Sequence, residues 1–323
     1  MIFTKAPQHW AELQNLPIHD RILALPDEVR DFVHQVNQAT GLDAVPSAVE
    51  ADAALRADLR DAIAGMPAAI LDLVGPLLLG VCLGRNLGSS GVTDIVVDAS
   101  DKRILGCIVL LDVDCFAGHT ANSWATHKEN LPFLANGGVS LDVRIAEPDQ
   151  DTRAGALQFL LLHEFGHVLT VDASFLPRWW EPVPDAPFAF LDLSWEVSPL
   201  QRFVPRPNAD FALRGAVDFY GKNKLDNDAI LTAYSGLEGS SFPSLYGATN
   251  PYDDFAECFA TWVHGEIMRR PFQLRVDFDG VPQAYLDSFW ASPRSSAKRA
   301  FMNKLFEQAP GAANDAGAAA AAA

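Results

Sequence analysis

Between residues 26 and 39, Val29, Phe32, Val33 and Val36 recur at spacings of three and four behind a Pro-Asp-Glu start. That period marks one face of an α-helix whose acidic first turn suits the helix dipole. Residues 47–64 repeat the pattern with Val49, Ala53, Leu55, Leu59 and Ile63, and Ser47 three residues ahead of Glu50 predicts a capping box. The most apolar stretch, residues 66–87, is interrupted by Asp72, Pro76 and Arg85. It predicts a buried helix pair or broken core helix, since no uninterrupted run approaches the roughly 20 residues that a bilayer requires. Residues 1–90 are therefore expected to form a mostly helical N-terminal region.

After Gly88-Ser89-Ser90-Gly91 the period changes. Residues 93–98 and 103–113 are short runs rich in Ile, Val and Leu, which predict a β-hairpin. A third strand is expected over residues 139–145, after the Asn136-Gly137-Gly138 turn and before a long helical pattern that begins near Thr152. Strands feeding helices predict an α+β domain over residues 91–308. Within it, residues 172–208 interleave prolines with Trp179, Trp180, Phe188, Phe190, Trp195 and Phe203. A linker would be polar and poor in aromatics, so this segment reads as an ordered excursion. Helical patterns return over residues 226–233, 251–268 and 293–308, and the Ala/Gly tail at 309–323 is expected to be disordered.

The 323-residue chain carries 24 Lys plus Arg against 41 Asp plus Glu, a formal charge of −17. Such a field repels phosphate backbones and anionic lipid, which argues against nucleic-acid partners. Its four cysteines stand at wide spacings without a C-x-x-C, as expected of reduced thiols. The first ten residues show no basic segment followed by an apolar core, so no secretory signal and a cytoplasmic location are expected.

One segment carries chemistry: His163-Glu164-Phe165-Gly166-His167, an H-E-x-x-H motif inside an apolar helical pattern. Residues four apart lie one turn apart on the same helix face, so the two imidazoles can meet one Zn²⁺, and Glu164 can reach a metal-bound water as its base. Two histidines and an ionised glutamate in so apolar a helix would be costly without a metal or other partners. A tetrahedral zinc site needs a third protein ligand, usually a carboxylate beside two histidines. The best candidate segment is Pro251-Tyr252-Asp253-Asp254-Phe255-Ala256-Glu257, where Asp253 and Glu257 share a helix face. One can bind the metal while the other accepts the N–H of a ligating histidine.

The H-E-F-G-H motif, together with Leu245-Tyr246-Gly247-Ala248-Thr249-Asn250 and the helix that follows, resembles the active-site pair of the anthrax lethal-factor-like metallopeptidases. These are a branch of the zincins. The resemblance covers two short blocks and implies a zincin-like catalytic domain with Asp253 as third zinc ligand, Glu257 supporting a histidine and Tyr246 stabilising the oxyanion. Asp253 stands where that family usually has Glu. Its carboxylate is one methylene short, so the two helices must approach more closely, or else Glu257 becomes the ligand. The gap from His167 to Asp253 is also long for the family and leaves room for the aromatic excursion as a lid or cleft wall.

The expected activity is zinc-dependent hydrolysis of a protein or peptide substrate, with a strand edge from residues 93–113 or 139–145 pairing with an extended peptide. The alternatives are a zincin-like protein that binds zinc and a partner peptide without cutting it, or a peptidase delivered to another cell. His264, seven residues after Glu257, is expected to be exposed or capping; His119 and His127 are assigned to a polar surface loop that ends in Lys128-Glu129.

Overall fold

Residues 78–85, 91–98 and 104–112 bury side chains on both faces. Each is a strand of one mixed sheet in the computed structural model, which describes residues 1–286 and 288–307. The N-terminal part runs β1 (Ile2–Thr4), α1 (Pro7–Gln14), β2 (Ile22–Ala24), α2 (Asp27–Ala39), β3 (Ser47–Ala48), α3 (Ala53–Ala64), α4 (Ala68–Val74), β4 (Leu78–Arg85), β5 (Gly91–Asp98) and β6 (Ile104–Asp112). There follow α5 (Ala121–Asn130), β7 (Val139–Arg144), α6 (Arg153–Leu169), α7 (Leu191–Ser194), β8 (Trp195–Val197), β9 (Phe203–Pro205), α8 (Ala229–Glu238), α9 (Pro251–Thr261), β10 (Gln273–Phe278), β11 (Val281–Leu286) and α10 (Ser296–Glu307).

The main sheet has the order β1-β5-β6-β4-β2, with β3 pairing along β4. The β5–β6 hairpin is antiparallel, whereas β1–β5, β6–β4 and β4–β2 are parallel. Its two faces feed two cores. Ile108 and Leu110 pack with Trp10 of α1 and Val29 and Val33 of α2. Val109 and Leu111 pack on the opposite side with Leu59 and Ile63 of α3 and with Leu161 and Phe165 of α6. A smaller antiparallel sheet has the order β11-β10-β7, and β8 and β9 form a ribbon of their own. The class is α+β, and no helix among the described residues is long and apolar enough to cross a membrane.

Several expectations need correction. The N-terminal region has its helices, but β1, β2 and β4 belong to the same sheet as the hairpin, so the expected boundary at residue 90 cuts through one sheet. Residues 78–85 are a strand and not a helix, because an apolar run buried on both faces has no period to separate the two. The helix expected from residue 47 begins at Ala53, where the Asp52 side chain accepts from Leu55 N at 2.8 Å, while Ser47 pairs with Arg85 in the sheet. The third strand does form, at Val139–Arg144, and pairs with β10. The supposed polar loop before Glu129 is helix α5, opened by a capping box between Thr120 and Ser123. The Ala/Gly tail falls outside the described residues.

Candidate metal centre

Helix α6 is buried almost all round between the main sheet and α9, as a helix apolar on every side must be. Thr152 caps its start by accepting from Gly155 N at 3.2 Å. One turn apart near its end, His163 and His167 meet edge to face, with their Nε2 atoms 3.1 Å apart.

The acidic partner comes from the first turn of α9. Asn250 is its N-cap and Pro251 takes the first helical position, the combination favoured at helix starts. Asn250 Oδ1 accepts from the backbone N–H groups of Tyr252 and Asp253 at 3.0 Å. Its Nδ2 donates to Asp253 Oδ2, which also accepts from Thr249 Oγ1 at 3.0 Å. With that oxygen tied, Asp253 Oδ1 faces the histidines, 3.3 Å from His167 Nε2 and 3.8 Å from His163 Nε2. One ligand atom from each of His163, His167 and Asp253 thus lies within 4.8 Å of the other two. Burial opposes charge on Asp253, but His167 and His163 outweigh it and hold the carboxyl below its ordinary range; burial likewise opposes a charged His167, and Asp253 overcomes it and raises that imidazole.

Glu257, one turn further along α9, has a different task. Its Oε1 lies 2.9 Å from His163 Nδ1, off the ideal hydrogen-bond direction, and 2.9 Å from Lys128 Nζ. Its Oε2 accepts from Ser244 Oγ at 2.7 Å. Burial opposes this charge too, yet Lys128, His163 and Ser244 keep the carboxyl far below the usual carboxylate range. A carboxylate at Nδ1 holds the ring proton there and leaves the Nε2 lone pair for a ligand. Asp254, the remaining acid of this turn, points elsewhere and binds Lys298 of α10 and Trp195.

Glu164 leans from α6 onto the sheet, where Thr93 Oγ1 donates to its Oε2 at 2.7 Å. Gly91 makes this possible: a Cβ there would lie 2.4 Å from Glu164 Oε1. Tyr246 stands over His163 with ring centroids 5.5 Å apart, and its hydroxyl accepts from Tyr220 at 3.1 Å. Burial, and after it the charge of Asp253, raises the Tyr246 phenol well above its ordinary value of 10, so it stays a hydrogen-bond donor. Thr93, Glu164, Tyr246 and the three converging residues line an open cavity of about 300 Å³ together with Trp179 and Tyr252.

The structure therefore brings together all six residues singled out from the sequence: His163, Glu164, His167, Tyr246, Asp253 and Glu257. Trp179 places the aromatic excursion on the cavity wall. His264 is not exposed; it is buried beside Phe159 with Nε2 donating to Ile145 O at 2.8 Å and Pro271 O at 3.0 Å. His119 and His127 stack on each other with centroids 5.5 Å apart, away from the cavity. Sequence reasoning missed Thr93, Tyr220 and, above all, Lys128 with Glu129, which look like ordinary solvated charges on a polar segment. The Asn250-Pro251 pair was a usable signal, since an N-cap before Pro fixes where the first helical turn begins. No protein-family model matches the chain, and neither does any curated protein or solved structure.

Proposed function

We propose that this protein is a zinc-dependent metallopeptidase of the zincin kind. The reading is carried by one observation: two imidazole Nε2 atoms and one oxygen of a tethered carboxylate converge beside a glutamate that is not part of that trio. The donor set fits zinc. Two histidine nitrogens and one carboxylate oxygen are the donor set of a catalytic zinc site, and the Glu257 contact at His163 Nδ1 is the usual support for a ligating histidine. His163, His167 and Asp253 would hold the ion, whose chemistry is to lower the pKa of water and to polarise a carbonyl.

The chain's own residues account for the remaining work. Glu164 is the base that takes a proton from the attacking water and returns it to the leaving amine, and Thr93 fixes its carboxylate for both transfers. Tyr246 donates its hydroxyl hydrogen to the carbonyl oxygen as negative charge develops there. β1 pairs with β5 only from Val96 to Asp98, so the Gly91–Thr93 backbone, which lines the cavity with Glu164, is left as a strand edge. An extended peptide can pair with that edge and lay its side chains against Trp179 and Tyr252.

The test is metal analysis with hydrolysis of an unstructured protein. The parent should hold about one zinc per chain. Glu164→Gln should keep the zinc and lose cleavage, because the base is not a ligand. Cleavage by Glu164→Gln at the parental rate would overturn the reading.

A further inference from the structure

Behind the histidines lies a line of buried polar groups that starts on α5. Tyr234 donates to Glu129 Oε2 at 2.8 Å, and Lys128 Nζ lies 3.5 Å from Glu129 Oε1 and 2.9 Å from Glu257 Oε1. The same Glu257 oxygen meets His163 Nδ1. Glu129 and Glu257 are buried, and the Lys128 side chain is only 14% exposed. The Lys128 ammonium also sits 5.0 Å from the centre of the Tyr246 ring, so one cation touches both the carboxylate behind His163 and the tyrosine in front of it.

An ion pair this deep needs a reason, because the desolvation of two charges can exceed their attraction and apolar residues would often serve stability equally well. Here the geometry supplies one. Glu257 has three partners on its two oxygens, and Lys128 is the cation among them. Without that cation one of the three contacts that orient the carboxylate is gone, and a Glu257 that turns away no longer faces His163 Nδ1 or fixes its tautomer.

We propose that Lys128 is a positioning residue of the metal centre: its contact with Glu257 Oε1 keeps that carboxylate aimed at His163 Nδ1, so that His163 presents its Nε2 lone pair to the ion. The inference rests on the metallopeptidase reading but concerns metal affinity and not turnover. Lys128→Met removes the cation, and because it leaves two acids buried together it could unfold the chain. Lys128→Met/Glu129→Gln removes one charge of each sign and keeps an acceptor for Tyr234. Zinc affinity is measured by competition with a chelator, and the His163 tautomer by ¹⁵N NMR of the metal-free protein. In the double variant zinc affinity should fall on the order of 10 to 100-fold, the range for a group supporting a ligand. The Nδ1-protonated signature of His163 should give way to a tautomer mixture. Lys128→Arg, which keeps the cation, should recover most of the loss. Parental zinc affinity and an unchanged tautomer in the folded double variant would overturn the role of Lys128 alone. If the parent binds no zinc, or His163→Ala binds it as the parent does, the metal centre falls as well, so the two failures are distinguishable.

Discussion

Gly166 of α6 faces Ala256 of α9 so closely that a Cβ built on the glycine would stand 2.7 Å from the Ala256 Cα. The contact lies beside His167 on one helix and one turn beyond Asp253 on the other. An aspartate carboxylate is one methylene shorter than a glutamate's, so it reaches the histidines only across a close crossing, and here the helices come together through a residue without a side chain. Gly166→Ala should therefore separate them. Overpacking of roughly 1 to 3 kcal/mol outweighs the helix-propensity gain of about 1 kcal/mol. Denaturant unfolding should show a less stable protein, and chelator competition a weaker zinc site. A more stable variant with parental zinc affinity would exclude this account of the crossing.

The two acids of α9 should separate by metal content. Asp253 Oδ1 faces both Nε2 atoms, whereas Glu257 faces the back of His163. Asp253→Ala should lose zinc on gel filtration, and Glu257→Ala should retain it with affinity lower by about 10 to 100-fold. The opposite ranking would give the ligand role to Glu257.

Tyr246→Phe removes only a hydroxyl. Because that hydrogen bond strengthens as charge develops, kcat should fall on the order of 10²-fold, with KM, zinc content and thermal stability little changed. The aromatic packing against His163 and Phe219 is kept by phenylalanine. Parental turnover would reduce Tyr246 to scaffolding.

Acid should weaken the fold through His264. Burial, helped slightly by the charge of Arg270, outweighs the hydrogen bonds to Pro271 O and Ile145 O and lowers this imidazole from 6.5 to about 4. The unfolded chain protonates His264 near 6.5 and the folded chain only near 4, so between those values the unfolded state binds more protons. The stability contribution is full above about pH 6.5 and is lost as pH falls toward 4, by up to about 3 kcal/mol. His264→Gln can still donate to Ile145 O and Pro271 O but cannot charge. Its melting temperature should drop less than the parent's between pH 7 and 4.5; parallel curves would remove His264 as a cause.

The local sequence determined the parts of this protein whose signal is local. The i, i+4 histidines, the glutamate between them and the two acids four apart on α9 need only a helical repeat to reach one face each. The hairpin at residues 91–112 and the helices at 27–39 and 153–169 were likewise legible from period and turn residues. Period failed where burial is two-sided, as in β4, and where a better cap stood nearby, as Asp52 did for α3. Whether two helices far apart in sequence meet is a question of packing, and here it was decided by the missing side chain at Gly166. The orientation of Asp253 toward the histidines depended on Asn250 and Thr249 holding its other oxygen. Lys128 depended on tertiary structure entirely, because a lysine on a polar helix is the pattern of a solvated charge until α9 and the Tyr246 loop close over it.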